Sequence, residues 1–292
     1  MRLLDVIQPS CEHLAKFEID DPLAEAEALV FFAAGIDRLA AYLNNPEVER
    51  SLVPRIRSLL RRRSKGEPLQ YIIGNVAFLG LTIHVGKGVL IPRPETELLA
   101  EEAITIVKSK RSEAGGQRRP GLKAFPRILD LCTGSGCIAL ALAWEFTSAF
   151  VCGTDISKKA IQYAQKNALT NRIRNAEFFP GSLFEPVKKI PGFDLIVSNP
   201  PYVPTTDING LQREIRDWEP AEALDGGKDG LDFYRAIFSK AGSYLRERGK
   251  LILELGYGQA GEVATIAKKA GFENIEVKKD YAGIERILKA EA

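Results

Sequence analysis

Histidine and cysteine are scarce: the 292 residues contain two of the first and four of the second. Cys11, Cys132, Cys137 and Cys152 are scattered and never form a CxxC pair, so a zinc site has no ligand set and no metal is expected. They read instead as free thiols of a reducing compartment. No stretch approaches the roughly 20 apolar residues that span a bilayer. The amino terminus also lacks a charged region leading into a long apolar core. No membrane contact and a cytoplasmic location are the expectation. An excess of one charge is missing too: 40 Lys and Arg against 38 Asp and Glu give a net charge of +2. That offers no support for stable nucleic-acid binding. What is present is an ordinary globular composition, 45% hydrophobic and 27% charged, long enough for two domains.

About the first 65 residues read as helical. Asp21-Pro22 is an N-cap followed by proline at the first helical position, leading into an apolar run from Leu23 to Ile36. Asn45-Pro46 repeats that signal. Val48, Leu52, Ile56, Leu59 and Leu60 then share a helical face, with Pro54 expected to divide or kink it. Arg55, Arg57, Arg61, Arg62, Arg63 and Lys65 decorate the other faces, either as a solvated surface or as a contact for an acidic partner. Between Gly66 and Pro94 the period changes. Tyr71 to Gly74 and Leu81 to Val85 are β-branched, bounded by glycine, and predict a hairpin. Helical spacing returns from Glu95 to about Lys108, and the polar segment 109–120 predicts a loop.

From Pro126 onward strands and helices alternate. Strands are expected at Arg127–Leu131, Phe150–Thr154, Ala176–Phe179, Phe193–Ser198 and Lys250–Leu255. Helices are expected at Ser135–Phe146, Ser157–Leu169, Leu231–Leu245 and Gln259–Ala270. This order implies right-handed βαβ units and an α/β fold with a mostly parallel, Rossmann-like sheet. Ile275–Lys279 and Ile284–Lys289 follow with no helix between them, which predicts an antiparallel pair at the end.

Three motifs carry chemistry. Asp130-Leu131-Cys132-Thr133-Gly134-Ser135-Gly136 ends a strand in a glycine-rich turn that opens a helix, the arrangement in which backbone N–H groups meet a ligand. Gly134-x-Gly136-x-x-Ala139 also fits a dinucleotide fingerprint, so this motif alone leaves nicotinamide, flavin and methyl-transfer chemistry open. Asp155 ends the next strand, where a carboxylate can accept both hydroxyls of a ribose; the alternative is a cap for the helix at Ser157. Asn199-Pro200-Pro201-Tyr202 follows a third strand. An amide or aromatic amino nitrogen is a poor nucleophile because its lone pair is delocalised. A site that methylates one needs neutral acceptors for its N–H groups, and the Asn199 side-chain oxygen and Pro200 carbonyl can supply them. The prolines stiffen the turn and Tyr202 can pack against the planar group. This tetrapeptide selects methyl transfer to a planar nitrogen, a class that also includes adenine-N6 methylation of DNA or RNA.

The chain resembles the release-factor glutamine methyltransferases, the HemK/PrmC family of class I methyltransferases. The resemblance rests on the segments Gly66–Gly74 and Val89–Leu99, the glycine motif, Asp155, Asn199–Tyr202, Glu219-Pro220-Ala221, Ala223–Gly227, Asp229–Leu231 and Leu253–Gly256. It implies a helical, release-factor-recognising domain over 1–66, a β-hairpin linker over 67–94 and a seven-stranded methyltransferase domain over 95–292. It also implies methylation, at N5, of the glutamine in the Gly-Gly-Gln tip of class 1 peptide chain release factors by S-adenosylmethionine, leaving S-adenosylhomocysteine. A glutamine in a ribosomal protein is the related alternative, and a monomer is expected. By this resemblance Cys132, Thr133, Gly134, Ser135, Gly136, Asp155, Ile156, Ser182, Leu183 and Asn199 hold the cofactor. Asn199, Pro200, Pro201 and Tyr202 hold the glutamine, with Asn199 and Pro200 catalytic. Cys132 departs from a position often filled by glycine, and Ser182-Leu183 from an acid and sometimes a tryptophan. Arg93 and Glu97 read as charges at a helix start.

Overall fold

Asp21 caps the second helix of the chain as its sequence predicts, accepting the Ala24 N–H at 3.0 Å with Pro22 in the first helical position. The computed structural model describes residues 1–17, 19–114, 125–190 and 192–292. It divides into two compact units, Met1–Asn75 with Gln212–Trp218, and Val76–Leu211 with Glu219–Ala292. The first unit is helical: α1 (Ile7–Leu14), α2 (Pro22–Ala34), α3 (Arg38–Asn44), α4 (Leu52–Arg63) and α5 (Leu69–Ile73). Leu14, Leu29, Val30, Ile56 and Leu60 form its buried core.

Three sequence expectations change here. Asn45 does not start a helix; at φ 35° it ends α3 in the left-handed region, where a short polar side chain is tolerated. Pro54 neither divides nor kinks α4, because it sits in the first turn, whose N–H groups have no helical acceptor to lose. Tyr71–Gly74 is not a strand. Pro68 O accepts the N–H groups of Tyr71 and Ile72 at 3.0 and 3.1 Å, starting α5, which ends at Gly74 with φ 88°. The basic face of α4 is partly consumed within the unit. Arg62 pairs with Glu67 at 2.5 Å, and Arg63 is buried between Glu25 and Glu214.

A hairpin follows, β1 (Asn75–Phe78) and β2 (Leu81–His84), which from Val76 onward belongs to the second unit. Leu79 (φ 44°) and Gly80 (φ 80°) make its two-residue turn, and positive φ at both positions matches the strand twist. Then follow α6 (Pro94–Ala114), β3 (Arg127–Leu131), α7 (Cys137–Glu145), β4 (Phe150–Asp155), α8 (Lys158–Thr170), β5 (Ala176–Pro180) and β6 (Phe193–Ser198). The short helix α9 (Arg213–Trp218) belongs to the first unit, and α10 (Asp232–Tyr244), β7 (Leu245–Glu254), α11 (Ala260–Lys269), β8 (Glu273–Lys279) and β9 (Glu285–Glu291) complete the second. The end of α6 falls inside the segment 109–120 expected as a loop, and the rest of that segment, from 115, lies outside the described residues.

The seven strands run β5-β4-β3-β6-β7-β9-β8. Five are parallel, and β9 pairs antiparallel with both β7 and β8, as the two closing strands predict. Four of the five residues of β3 and five of the six of β6 are buried, the mark of a parallel sheet covered on both faces. From β3 the chain winds outward through β4 to β5, then returns to β6 on the other side of β3. Connections therefore leave β3 and β6 in opposite directions, and a crevice opens beyond their carboxyl ends. Leu131 is in register with both Thr154 and Ser198, so the three loops that follow start at one level.

Arg63 retains 3% side-chain exposure, and removing it strands the Glu25 carboxylate in a partly buried place. Arg63→Ala is expected to destabilise the helical unit by about 3 kcal/mol, readable as a lower urea midpoint.

Candidate active site

A cleft of about 1010 Å³, counted to its open mouth, lies beyond the carboxyl ends of β3, β4 and β6. Of the residues picked from the sequence, Cys132, Thr133, Gly134, Ser135, Asp155, Ile156, Ser182, Leu183, Asn199 and Pro201 line it. Gly136, Pro200 and Tyr202 are not among its lining residues.

The turn after β3 is built on left-handed backbone at Cys132 (φ 57°), Gly134 (φ 55°) and Gly136 (φ 81°). A cysteine at that φ costs about 1 kcal/mol relative to glycine, which explains why glycine suits the position. Gly136 serves packing: a Cβ there would lie 2.9 Å from the Ala164 Cβ on α8 and 3.2 Å from the Phe178 ring on β5. A Cβ on Gly134 would meet nothing within 4 Å. Thr133 N–H donates to Thr154 O at 3.0 Å and Gly136 N–H to Thr133 O at 2.8 Å, so the turn is held by its own backbone.

Asp155 braces that turn. Its Oδ2 accepts the Gly134 N–H at 2.9 Å and its Oδ1 the Ser157 N–H at 2.8 Å. Burial raises its pKa against the pull of these two donors. The cap of α8 is Ser157, whose Oγ accepts the Ala160 N–H at 3.3 Å. Each Asp155 oxygen keeps a second lone pair for a ligand. Beside it Ile156 is 68% exposed, an apolar surface in the cleft. Leu183 reaches the cleft from a left-handed turn (φ 45°) after Gly181.

Asn199 projects from the end of β6, its Nδ2 donating to Thr96 Oγ1 at 3.1 Å. The Thr96 hydroxyl in turn lies 2.8 Å from Glu254 Oε2. Tyr202 is anchored at its tip. Its hydroxyl donates to Glu254 Oε1 at 3.3 Å, and a Cβ on Gly256 would stand 3.0 Å from its Cδ2. Its carbonyl accepts Gln259 Nε2 at 3.0 Å. Arg93 and Glu97 are not the solvated charges of a helix start. Arg93 pairs with buried Glu219, whose second oxygen accepts the Ile91 N–H at 3.1 Å, and Glu97 accepts the Leu79 N–H of the hairpin turn at 3.0 Å.

Sequence reasoning assigned no individual role to Thr96, Asp130, Glu219, Glu222, Phe233 or Glu254. Glu222 and Phe233 also line the cleft, Phe233 from the start of α10. Asp130 and Glu254 are buried, and burial pushes each carboxyl up to about 7. Asp130 Oδ2 accepts from Thr133 Oγ1 at 2.5 Å and from Ala139 N at 3.2 Å, tying the glycine turn to α7. A polar residue inside an apolar strand was the available signal for Asp130 and for Glu254. No cluster of three or more His, Cys, Asp or Glu side chains suited to a metal occurs among the described residues. No described helix is long and apolar enough to cross a membrane.

Family models for the PrmC N-terminal domain and the methyltransferase small domain match residues 5–74 and 121–215. The release factor glutamine methyltransferase of Thermodesulfovibrio yellowstonii is 46% identical over 99% of this chain and 97% of its own. The chain belongs to the release factor glutamine methyltransferases. Another member, from Geobacter sulfurreducens, is 43% identical over 94% of this chain and 92% of its own. Among solved structures, a methyltransferase from Pyrococcus furiosus aligns with a TM-score of 0.50 at 20% identity, over 74% of this chain and 90% of that one. A human methyltransferase 10 domain containing protein aligns with a TM-score of 0.51 at 17% identity, over 73% and 88%. These two likenesses speak for the class I methyltransferase fold that the family shares.

The raised Asp130 carboxyl gives a pH test. A folded pKa of about 7, above the unfolded carboxyl range, means the group favours the folded state most in acid and loses that contribution as pH rises through about 7. Asp130→Asn has no such loss. Its melting temperature relative to wild type is expected to climb between pH 5 and pH 8, by at least about 2 °C, the shift that about 1 kcal/mol gives in a chain of this length. Differential scanning calorimetry of both proteins across that range checks it, and a constant difference contradicts it.

Proposed function

We propose that the protein transfers a methyl group from S-adenosylmethionine to the N5 amide nitrogen of the glutamine in the Gly-Gly-Gln motif of class 1 peptide chain release factors, leaving S-adenosylhomocysteine. The observation that carries this reading is Asn199 at the end of β6, lining the cleft with its Nδ2 engaged by Thr96. Its Oδ1 is thereby the atom left to accept an N–H. The names of the full-length relatives supply the substrate.

The cleft suits the cofactor on its donor set. The open side of Gly134 admits a ligand to the backbone, the Asp155 oxygens retain acceptor capacity for ribose hydroxyls, and Ile156 and Leu183 offer apolar surface to a base. When bound, S-adenosylmethionine supplies a methyl group carried on a positive sulfonium. The chain's own part is to position and stabilise. Asn199 Oδ1 and the Pro200 carbonyl accept the two N–H bonds of the glutamine amide and so hold its plane. As positive charge grows on that nitrogen, both neutral acceptors gain strength, and this difference between ground and transition state lowers the barrier. The nitrogen then gives up one of its two protons to solvent, leaving a neutral N-methyl amide and S-adenosylhomocysteine. Pro201 keeps competing N–H donors out of the turn. Tyr202, its hydroxyl held on Glu254, packs against the plane of the glutamine amide. The amino-terminal helices are the part assigned to recognising the release factor.

A ribosomal-protein glutamine or an adenine amino group would need the same acceptors, so substrate identity is tested directly. With labelled S-adenosylmethionine, purified release factor is expected to be methylated, and duplex DNA and ribosomal protein offered in parallel are not; label in DNA alone overturns the reading. Asn199→Ala is expected to abolish transfer while S-adenosylmethionine affinity stays within about tenfold, or 1.4 kcal/mol. Retained turnover in that variant would show that Asn199 does not position the amide.

A further inference from the structure

We propose that Thr96 and Glu254 are positioning residues that fix which face of the Asn199 amide meets the substrate. The inference rests on the glutamine-methylation reading and adds two residues to it. An asparagine side chain can present either its oxygen or its NH2, and the two are nearly isosteric. Only the oxygen can receive an N–H of the glutamine amide; the NH2 would set donor against donor. Something must therefore hold one orientation, and the local backbone of Asn199 does not.

The chain of hydrogen bonds ending at Glu254 does. Glu254 is 2% exposed and Thr96 is 3% exposed, so water competes little for either. Above about pH 7, where Glu254 is ionised, its carboxylate is an acceptor only, and Thr96 has one hydroxyl hydrogen. With Thr96 Oγ1 at 2.8 Å from Glu254 Oε2, that hydrogen goes to the carboxylate. The Thr96 lone pairs then face Asn199 at 3.1 Å and can only receive an N–H. Flipping the amide would place two acceptor oxygens against each other. Glu254 Oε1 takes the Tyr202 hydroxyl at 3.3 Å, so one carboxylate governs both the first and the last residue of the tetrapeptide. Arg286 and Glu95 are the charged groups whose fields reach it, and the Tyr234 hydroxyl donates to the Glu254 backbone carbonyl at 2.9 Å.

The test uses two variants of Thr96 that separate its hydroxyl from its methyl group. Thr96→Val keeps the shape of threonine without the hydroxyl, and Thr96→Ser keeps the hydroxyl without the methyl. A packing role predicts that Val is harmless and Ser harmful; the positioning role predicts the reverse. With release factor as substrate, Thr96→Val is expected to lower kcat at least 30-fold with S-adenosylmethionine affinity unchanged within twofold, while Thr96→Ser stays within threefold of wild type. Where Thr96→Val does not fold, Thr96→Ala against Thr96→Ser makes the same comparison. A second readout needs no substrate. The side-chain NH2 resonances of Asn199, assigned by their loss in Asn199→Ala, are expected to exchange slowly with solvent in wild type and in Thr96→Ser, and at least tenfold faster in Thr96→Val. Equal exchange rates, or a kcat retained in Thr96→Val, overturn this inference. Slow exchange in a wild type that does not methylate release factor would sustain the inference and overturn the substrate reading instead.

Discussion

Glu254 is a carboxylate with almost no water, placed at the last residue of β7, and the geometry of the cleft depends on how its charge is met. A buried carboxylate is costly unless donors satisfy it. Here Thr96 from the start of α6 and Tyr202 from the loop after β6 do so, one on each oxygen. Satisfying it therefore draws together two segments that are far apart in sequence, and both carry residues of the cleft. The same low-dielectric surroundings that make an unpaired carboxylate expensive make the two hydrogen bonds directional and strong. The polar cost is converted into placement.

The sheet supplies the frame in which such placement is possible. Five parallel strands must bury both faces, so their loops carry the chemistry and their interiors carry none. Asp130 is the exception that clarifies the rule. It sits inside β3 and spends Oδ2 on Thr133 and Ala139, which locks the turn at the very point where the strand hands over to α7. Asp155, one strand over, locks the same turn from the other side through Gly134. Two carboxylates thus hold one glycine turn, and the left-handed residues Cys132, Gly134 and Gly136 are kept in place without a bulky side chain filling the cleft.

Much of this was legible from residue order. β6 is Phe193–Ser198 as expected, because a run of apolar residues bounded by a proline turn has few other readings. The antiparallel pair β8 and β9 followed from the missing helix between two strand signals. The hairpin's first strand was misplaced, since the run Tyr71-Ile72-Ile73 is short and β-branched, and only the buried contacts of Tyr71 and Ile72 decide for a helix. The positions of the tetrapeptide and of Asp155 at strand ends were also legible. Thr96, 158 residues from Glu254, was not, nor was Glu219, 126 residues from Arg93. Periodicity reports the face a residue occupies, and says nothing of a polar partner on another element.

The segment Leu224–Gly230 shows why family motifs that lack reactive groups still matter to the reaction. Val203 N–H donates to Leu224 O at 2.9 Å and Gly226 N–H to Val203 O at 2.8 Å, so this strap runs against the backbone that leaves Tyr202. A Cβ on Gly230 would lie 2.4 Å from Tyr202 O and 2.6 Å from Gln259 Nε2, and one on Gly226 2.7 Å from Tyr202 Cα. Neither position has room for a side chain, and Gly230 adopts φ 75° besides. The stiffness of Asn199–Tyr202 therefore has two sources: the prolines limit its own dihedrals, and the glycine strap closes the space into which Tyr202 could move. Proline alone would leave the turn free to pivot about its ends. With Asn199 tied to Thr96 at one end and Tyr202 clamped at the other, the pivot is removed, and an acceptor that must meet a weakly nucleophilic nitrogen in one orientation has the rigidity this requires.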